Sequence, residues 1–173
     1  NSTRLLELVN QILDFRKLEN NQKLHVSPQK DLSVFNNINV SSAYWSKEKK
    51  INYAYLHPTD FETLFFDIDI IEKVATNLLS NAFKYTPEGG TIKLSIRLVD
   101  VNTDSEGKVT SGDMEINVID NGIGIPLEYR DKVFERFYQL DENPEFGYSS
   151  GIGLALTAEL VKLHKGSIHL LDG

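Results

Sequence analysis

The sequence predicts an α+β fold, in which a mixed β-sheet carries helices on one side as a two-layer α/β sandwich. Two runs, residues 68–85 and 152–165, place apolar residues at helical spacing. Two others, residues 91–99 and 114–118, alternate apolar and polar residues, which is typical of a strand with one buried face. Since both kinds of run occur along one chain, we expect the helices and the sheet to form two packed layers.

Composition restricts the possible partners. The chain has 173 residues, of which 40% are hydrophobic and 25% charged, and its formal net charge is −7. This acidic balance disfavours nucleic acid or an anionic membrane as the main partner, so we expect no contact with nucleic acid. The absence of cysteine excludes disulfides, thiolate chemistry and cysteine-based zinc sites. No apolar run approaches the roughly 20 residues that span a membrane.

The N-terminal part predicts a helix over residues 1–19. Its apolar residues cover nearly half of the circumference, which favours a helix inside a bundle. The alternative is an N-terminal helix docked on its own domain. A polar stretch at residues 20–23 marks a domain boundary. The chain starts at Asn1 and stops at Gly173 just after a strand-like run, and we expect it to be a piece of a longer protein.

The remaining elements are predicted in order along the chain. We expect a short strand at residues 24–26, then a helix that is capped by Asp31 and runs to about Ser46. A charged turn at residues 47–50 leads to a hairpin formed by residues 51–56 and 62–66. Residues 100–113 are expected to form a surface loop, residues 131–137 a short helical piece, residues 140–150 a mobile segment and residues 167–171 a last strand.

The helix predicted over residues 68–85 carries polar side chains in an unusual pattern. Asn77, Asn81 and Lys84 are spaced i, i+4, i+7 and share one stripe, with Tyr85 at its edge. Each asparagine costs roughly a few tenths of a kcal/mol in helix propensity. Amide oxygens and an ammonium group on one stripe could hold a hard cation and a phosphate. The alternative is a solvated face that happens to carry asparagine.

Two glycine motifs follow. DNGIGI, residues 120–125, comes directly after a strand, where the carboxylate of Asp120 can accept a hydrogen bond from an exocyclic amine and the glycines let a flat ring approach the backbone. A hairpin turn is the alternative interpretation. Gly151 and Gly153 precede the last helix, whose first N–H groups could bind a phosphate, although a flexible helix start would explain this motif equally well.

In this order, the motifs resemble those of the sensor histidine kinase family, in its ATP-binding catalytic domain of the Bergerat (GHKL) type. NLLSNAFKYT at residues 77–86 is similar to the N box and DNGIGI to the first glycine box. FERFYQ at residues 134–139 is similar to the F box and SSGIGLAL at residues 149–156 to the second glycine box. The run RLLELVNQILDFRKLE resembles the end of the second helix of the dimerisation and phosphotransfer bundle. The ending of this run and the sequence of the catalytic part resemble hybrid sensor kinases of Bacteroides-type bacteria.

The resemblance implies a domain organisation. Residues 1–20 would be the C-terminal part of the dimerisation and phosphotransfer helix. Residues 21–173 would be the catalytic domain of the Bergerat fold, without the last strand that the family usually has after a Gly-Thr turn.

The resemblance also implies roles for single residues. Asn81 would bind Mg²⁺, Asn77 and Lys84 would contact the phosphates, and Tyr85 would pack against the nucleotide. Asp120 would accept the adenine amine. The other implied nucleotide-binding residues are Gly122, Gly124 and Ile125 in the adenine floor, Phe137 and Tyr138 in the lid, and Gly151, Gly153 and Leu154 in the lid hinge. The implied catalytic residues are Asn81, Lys84 and Arg136.

Two departures and one absence qualify the resemblance. Many members carry Gly where Ser149 stands. Some members carry Arg where Gln139 stands, and this arginine is the one expected to stabilise the γ-phosphate. Arg136 could take over that role, or it could equally pair with a surface acid. None of the four histidines lies in the family's H-E-[hydrophobic]-[Arg/Lys]-T-P setting. The chain is therefore expected to lack the phosphoacceptor histidine.

The implied function is transfer of the γ-phosphoryl group of Mg²⁺-ATP to a histidine on an absent bundle helix, and then to a receiver aspartate. The implied cofactors are ATP and Mg²⁺. The implied partners are the bundle, a response-regulator receiver domain and a second copy in a homodimer of the parent, a membrane-anchored sensor of which this chain is a cytoplasmic portion. Another Bergerat-type ATPase and a non-catalytic nucleotide-binding module are the alternatives. The missing hydrolytic Glu on the asparagine helix argues against the former.

Overall fold

The computed structural model describes residues 2–20, 23–59, 63–107, 109–139 and 150–171. In these residues the chain forms four α-helices, α1 (Ser2–Glu19), α2 (Ser33–Lys49), α3 (Ile68–Tyr85) and α4 (Gly153–Leu163). It also forms five strands, β1 (Ser27–Gln29), β2 (Asn52–Leu56), β3 (Leu64–Phe66), β4 (Thr91–Thr103) and β5 (Val109–Asp120). Two 3₁₀-helices, Leu127–Tyr129 and Lys132–Phe134, lie between β5 and α4.

The chain divides into two compact units. The first, Val26–Ile123, contains all five strands with α2 and α3, and we call it the sheet unit. The second, Asn1–His25 with Gly124–Asp172, contains α1, α4 and the 3₁₀-helices, and we call it the helical unit.

A mixed three-stranded sheet is the frame of the sheet unit. The central strand β4 pairs in parallel with β2, where Asn52 lies opposite Thr91. On its other side β4 pairs antiparallel with β5, where Ile92 lies opposite Asp120. β1 and β3 form a separate antiparallel ribbon. Strands and helices in this arrangement confirm the predicted α+β class with a mixed sheet.

Helices α2 and α3 pack on one face of this sheet. Alternate residues of β4, Ile92, Leu94 and Ile96, are at most 2% exposed and meet the apolar faces of both helices. The core residues contributed by the helices are Leu32, Val34, Phe35 and Ile38 from α2 and its start, and Ile71, Ala75, Leu79, Ala82 and Phe83 from α3. The partly buried residues Met114, Ile116 and Val118 of β5 pack against the same cluster.

The predicted hairpin of residues 51–56 and 62–66 is wrong. β2 instead pairs with β4, and β3 pairs with β1. A parallel pair needs a crossover connection of a dozen or more residues, and the chain between β2 and β4, which includes α3, supplies it. The pattern of each short run predicts a strand but contains no information about its partner.

Other boundaries also differ from the prediction. β1 lies at Ser27–Gln29 rather than at residues 24–26, and α2 continues through the charged turn predicted at residues 47–50 to Lys49. β4 and β5 extend into the predicted loop, so that the described part of the turn is residues 104–107. The described residues 167–171, predicted as a last strand, form no strand.

In the helical unit, α1 packs against α4. α4 buries Ala155, Leu156 and Leu160, and Phe15 of α1 is 7% exposed. The apolar residues of α1 that stay exposed are Leu5, Leu6, Val9, Ile12 and Leu13. No helix among the described residues has the length and apolar character needed to cross a bilayer. The division between a bundle helix at residues 1–20 and a catalytic domain stays a prediction.

Candidate functional site

The predicted polar stripe lies on α3. The helix begins after Asp67, whose side chain accepts a hydrogen bond from the N–H of Ile70 at 3.3 Å, and it ends at Tyr85 before Thr86 and Pro87. Asn77, Asn81 and Lys84 are all half-buried. The stripe is therefore lined by polar groups that are partly shielded from water, whereas an ordinary solvated face would be fully exposed.

The C-terminal end of α3 is held in place by its neighbours. Lys49 at the end of α2 donates a hydrogen bond from Nζ to the backbone oxygen of Phe83 at 2.9 Å. A cation at the last carbonyls of a helix is favourable because those carbonyls have no partner within the helix. Lys84 Nζ lies 5.1 Å from the centre of the Tyr85 ring, a cation–π contact.

Asp120 is the last residue of β5, and its carboxylate is exposed at the end of the strand. Its Oδ1 atom accepts a hydrogen bond from the N–H of Gly122 at 2.9 Å. The next residue, Asn121, accepts a hydrogen bond from the N–H of Thr91 through its own Oδ1 at 2.7 Å. These two bonds fix the direction in which the chain leaves the sheet, so that the carboxylate is an oriented acceptor.

The structure brings this turn and the end of α3 together. The N–H of Ile123 donates to the backbone oxygen of Tyr85 at 3.3 Å. A Cβ atom at Gly122 would lie 2.5 Å from that same oxygen and 2.9 Å from the carbonyl carbon of Tyr85. Only glycine permits so close an approach of two backbone segments. Asn81, Lys84, Tyr85, Asp120 and Gly122 are thus parts of one local arrangement in the sheet unit.

Two predicted floor residues begin the second part of the helical unit. Gly124 is exposed, and Ile125 is half-buried. The backbone oxygen of Ile125 accepts a hydrogen bond from Nε of Arg130 at 3.1 Å. This bond ties the end of the DNGIGI motif to the 3₁₀-helix region that follows.

Residues 136–138 and 150–151 lie side by side, and we call them the neck. The N–H of Phe137 donates to the backbone oxygen of Gly151 at 2.8 Å. Gly151 has φ +64°, and a Cβ there would lie 2.7 Å from the backbone of Phe137. Both the left-handed backbone and the close approach therefore require glycine at this position. The Tyr138 ring centre lies 6.4 Å from that of Tyr129. Of the mobile segment predicted to form part of the lid, residues 140–150, Ser150 is described, whereas residues 140–149, with Ser149, lie outside the described residues.

The start of α4 carries the last predicted residues. Gly153 and Leu154 are its first two residues, and the N-cap residue Ile152 makes no capping hydrogen bond through its side chain. Its first turn contains no acidic residue. Such an N terminus presents backbone N–H groups and the positive end of the helix dipole, which favours a bound anion.

Arg136 is engaged by α1. Its Nη1 atom lies 2.9 Å from a carboxylate oxygen of Glu19, and its guanidinium carbon lies 4.5 Å from the centre of the Phe15 ring. A surface acid is the alternative partner predicted for Arg136, and Glu19 is such an acid, which the sequence did not identify. The contacts of Asn121, Ile123 and Lys49 were also not predicted. Asn121 and Ile123 lie inside the DNGIGI motif, but Lys49 has no local signal for its contact with α3.

Comparison with known proteins identifies the class to which this architecture belongs. Residues 66–172 match the family described as Histidine kinase-, DNA gyrase B-, and HSP90-like ATPase. The chain belongs to this family. The predicted resemblance to histidine kinase catalytic domains is confirmed.

Relatives in curated collections are named histidine kinases. The chain is 35% identical to histidine kinase P4 of Formosa agariphila, over 98% of this chain and 12% of the relative. It is 33% identical to the sensor histidine kinase WalK of Bacillus subtilis, over 95% of this chain and 26% of the relative. The chain thus spans 12% and 26% of the length of these two relatives.

Solved structures show the same fold. Histidine kinase AdeS of Acinetobacter baumannii superimposes with a TM-score of 0.72 at 22% identity, covering 97% of this chain and 72% of that one. Full-length ShkA in complex with AMPPNP gives a TM-score of 0.70 at 24% identity, covering 92% of this chain and 31% of that one. At such identities the likeness concerns the fold alone.

Proposed function

We propose that this chain binds Mg²⁺-ATP and serves as the catalytic domain of a sensor histidine kinase. One observation carries the proposal: the Ile123–Tyr85 hydrogen bond and the close approach at Gly122 join the asparagine-bearing helix to the carboxylate-bearing turn. The family match over residues 66–172 and the names of the relatives support the same function.

The polar side chains on α3 in the sheet unit fit a metal–nucleotide complex. Asn81 offers an amide oxygen to Mg²⁺, and its half-buried position limits competition from water. Asn77 and Lys84 offer hydrogen-bond donors to phosphate oxygens. When bound, Mg²⁺ would neutralise charge on the transferred phosphoryl group.

Asp120 and the glycines supply base recognition in this proposal. The exposed carboxylate, oriented by the Gly122 N–H, would accept a hydrogen bond from the exocyclic amine of adenine. Tyr85, Gly122, Gly124 and Ile125 would contact the base. Guanine carries a carbonyl oxygen where adenine carries this amine, so the carboxylate would discriminate against it.

In this proposal, residues of the helical unit bind the phosphates of ATP. The backbone N–H groups at the start of α4, from Gly153 and Leu154, would bind phosphate oxygens, and Gly151 would let the chain turn before them. Phe137 and Tyr138 would cover the nucleotide. Arg136 would supply positive charge to the γ-phosphate.

The parent protein would then move the phosphoryl group onward. The acceptor would be a histidine on a dimerisation bundle, of which α1 is the final part, and the next acceptor would be an aspartate of a receiver domain. A homodimeric, membrane-anchored parent with this chain on the cytoplasmic side completes the proposal. Position and charge neutralisation are the chain's own contributions, because phosphoryl transfer requires no covalent intermediate on this domain.

Two measurements test this function. Calorimetric titration with ATP, with and without Mg²⁺, should give saturable binding that is tighter with the metal. Addition of a separately produced bundle that carries the acceptor histidine, with γ-radiolabelled ATP, should give labelled bundle. Release of free phosphate without labelled bundle would instead favour an ATPase of another type, and binding without either product would favour a non-catalytic module.

A further inference from the structure

The contacts of Arg136 with α1 exceed what a simple surface ion pair requires. Its guanidinium group pairs with Glu19 at 2.9 Å and lies over the Phe15 ring at 4.5 Å. Phe15 is 7% exposed, unlike the other apolar residues of α1 named above, so the ring that receives the guanidinium is fixed by packing. Arg136 is therefore restrained by charge on one side and by a ring face on another.

A second tie connects α1 to the other side of the neck. Ser150 donates from its hydroxyl to Oε1 of Gln11 at 2.7 Å, and the same hydroxyl oxygen accepts a hydrogen bond from the N–H of Ile152 at 3.2 Å. The two sides of the neck are joined to each other by the Phe137–Gly151 hydrogen bond. Helix α1 thus contacts both sides of the neck, through Glu19 on the Arg136 side and through Gln11 on the Ser150 side.

The electrostatic consequence concerns anion binding. A carboxylate 2.9 Å from the guanidinium offsets its positive charge and repels any phosphate that approaches it. We propose that Glu19 and Phe15 are positioning residues that hold Arg136 on α1 and thereby weaken its attraction for the γ-phosphate of ATP. This inference rests on the proposed function, in which Arg136 serves that phosphate.

The test compares ATP with ADP, which lacks the γ-phosphate. In calorimetric titrations of the full chain, E19Q should bind ATP about two- to fivefold more tightly, the range expected for a half-exposed ion pair. Its affinity for ADP should stay unchanged. F15L keeps an apolar side chain but removes the ring face, and it should give a smaller gain for ATP.

Control variants separate this effect from net charge and from folding. E88Q removes the same charge from another exposed ion pair, Lys50–Glu88 at 2.7 Å, and should leave both affinities as they are. R136A should weaken ATP binding, and E19Q added to R136A should have no further effect. Thermal unfolding of each variant verifies that the chain is folded.

Three results would overturn the inference while leaving the proposed function in place. These are an unchanged ATP affinity in E19Q, a gain of equal size in E88Q, and a gain that persists when Arg136 is alanine. Failure of the unmodified chain to bind ATP would instead overturn the proposed function, and the role of Arg136 with it.

Discussion

Substitution of Gly122 by alanine tests the junction between α3 and the turn after β5. The added Cβ would lie 2.5 Å from the Tyr85 oxygen and 2.8 Å from Oδ1 of Asp120, so the backbone has to move. Movement would weaken the Ile123–Tyr85 bond and the charge-assisted bond from Gly122 to Asp120. Steric strain and these two losses together should lower the free energy of unfolding by about 2–4 kcal/mol.

Urea unfolding measures this loss, and an ATP titration measures its effect on binding. The matched control is G89A, at a glycine with φ +82° and no atom within 4 Å of a built Cβ. Its cost should come from the left-handed backbone alone, about 1–2 kcal/mol. If G122A unfolds at the same urea concentration as the unmodified chain, the close approach at Gly122 does not hold the two segments together, and the reasoning is refuted.

Three further predictions concern the nucleotide residues and the core. N81A should lower the affinity for Mg²⁺-ATP about 10- to 100-fold, as expected for one lost interaction with a charged group. The control N36A, on the exposed face of α2, should leave this affinity unchanged. If calorimetry gives N81A the same affinity as the unmodified chain, the role of Asn81 is rejected. D120N can retain the bond from the Gly122 N–H, so its stability should change little while its affinity for ATP falls about tenfold and its preference over GTP shrinks. Among the described residues the buried hydroxyl of Tyr55 has no hydrogen-bond partner, and burial, with a smaller effect of Tyr53, raises the pKa of Tyr55 to about 12. Because the unfolded tyrosine loses its proton first, stability should fall between about pH 10 and pH 12, and Y55F should reduce that fall in urea titrations at each pH.

Local signals in the sequence account for the correct predictions. The helix over Ile68–Tyr85 has an acceptor side chain at Asp67, apolar residues that repeat at helical spacing and a proline two residues past its end. Residues next to each boundary therefore predict where the helix begins and ends. The alternation of Ile92, Leu94 and Ile96 similarly predicts which face of β4 is buried. Asn77, Asn81 and Lys84 share the predicted stripe because the helix period is fixed.

Contacts between distant parts of the chain could not be predicted in this way. β2 pairs with β4 across α3, and Lys49 meets Phe83 from 34 residues away. Glu19 and Arg136 are 117 residues apart, and nothing in the neighbourhood of either residue specifies the other. The predicted roles of the site residues came from ordered motifs resembling a family, since spacing alone left a hairpin and a solvated face open.

The paired strands β4 and β5 have a practical consequence for spectroscopy. Both continue past the end of β2, which stops opposite Ser95, and we call this two-stranded extension the arm. A hydrogen bond between Asn102 and Ser111 at 2.9 Å joins its two strands. Its exposed turn contains Ser105, and the native sequence has no cysteine. Replacing Ser105 with cysteine would therefore create a unique thiol at the tip of the arm, where a dye or spin label can be attached without altering a core side chain or a residue assigned to the nucleotide.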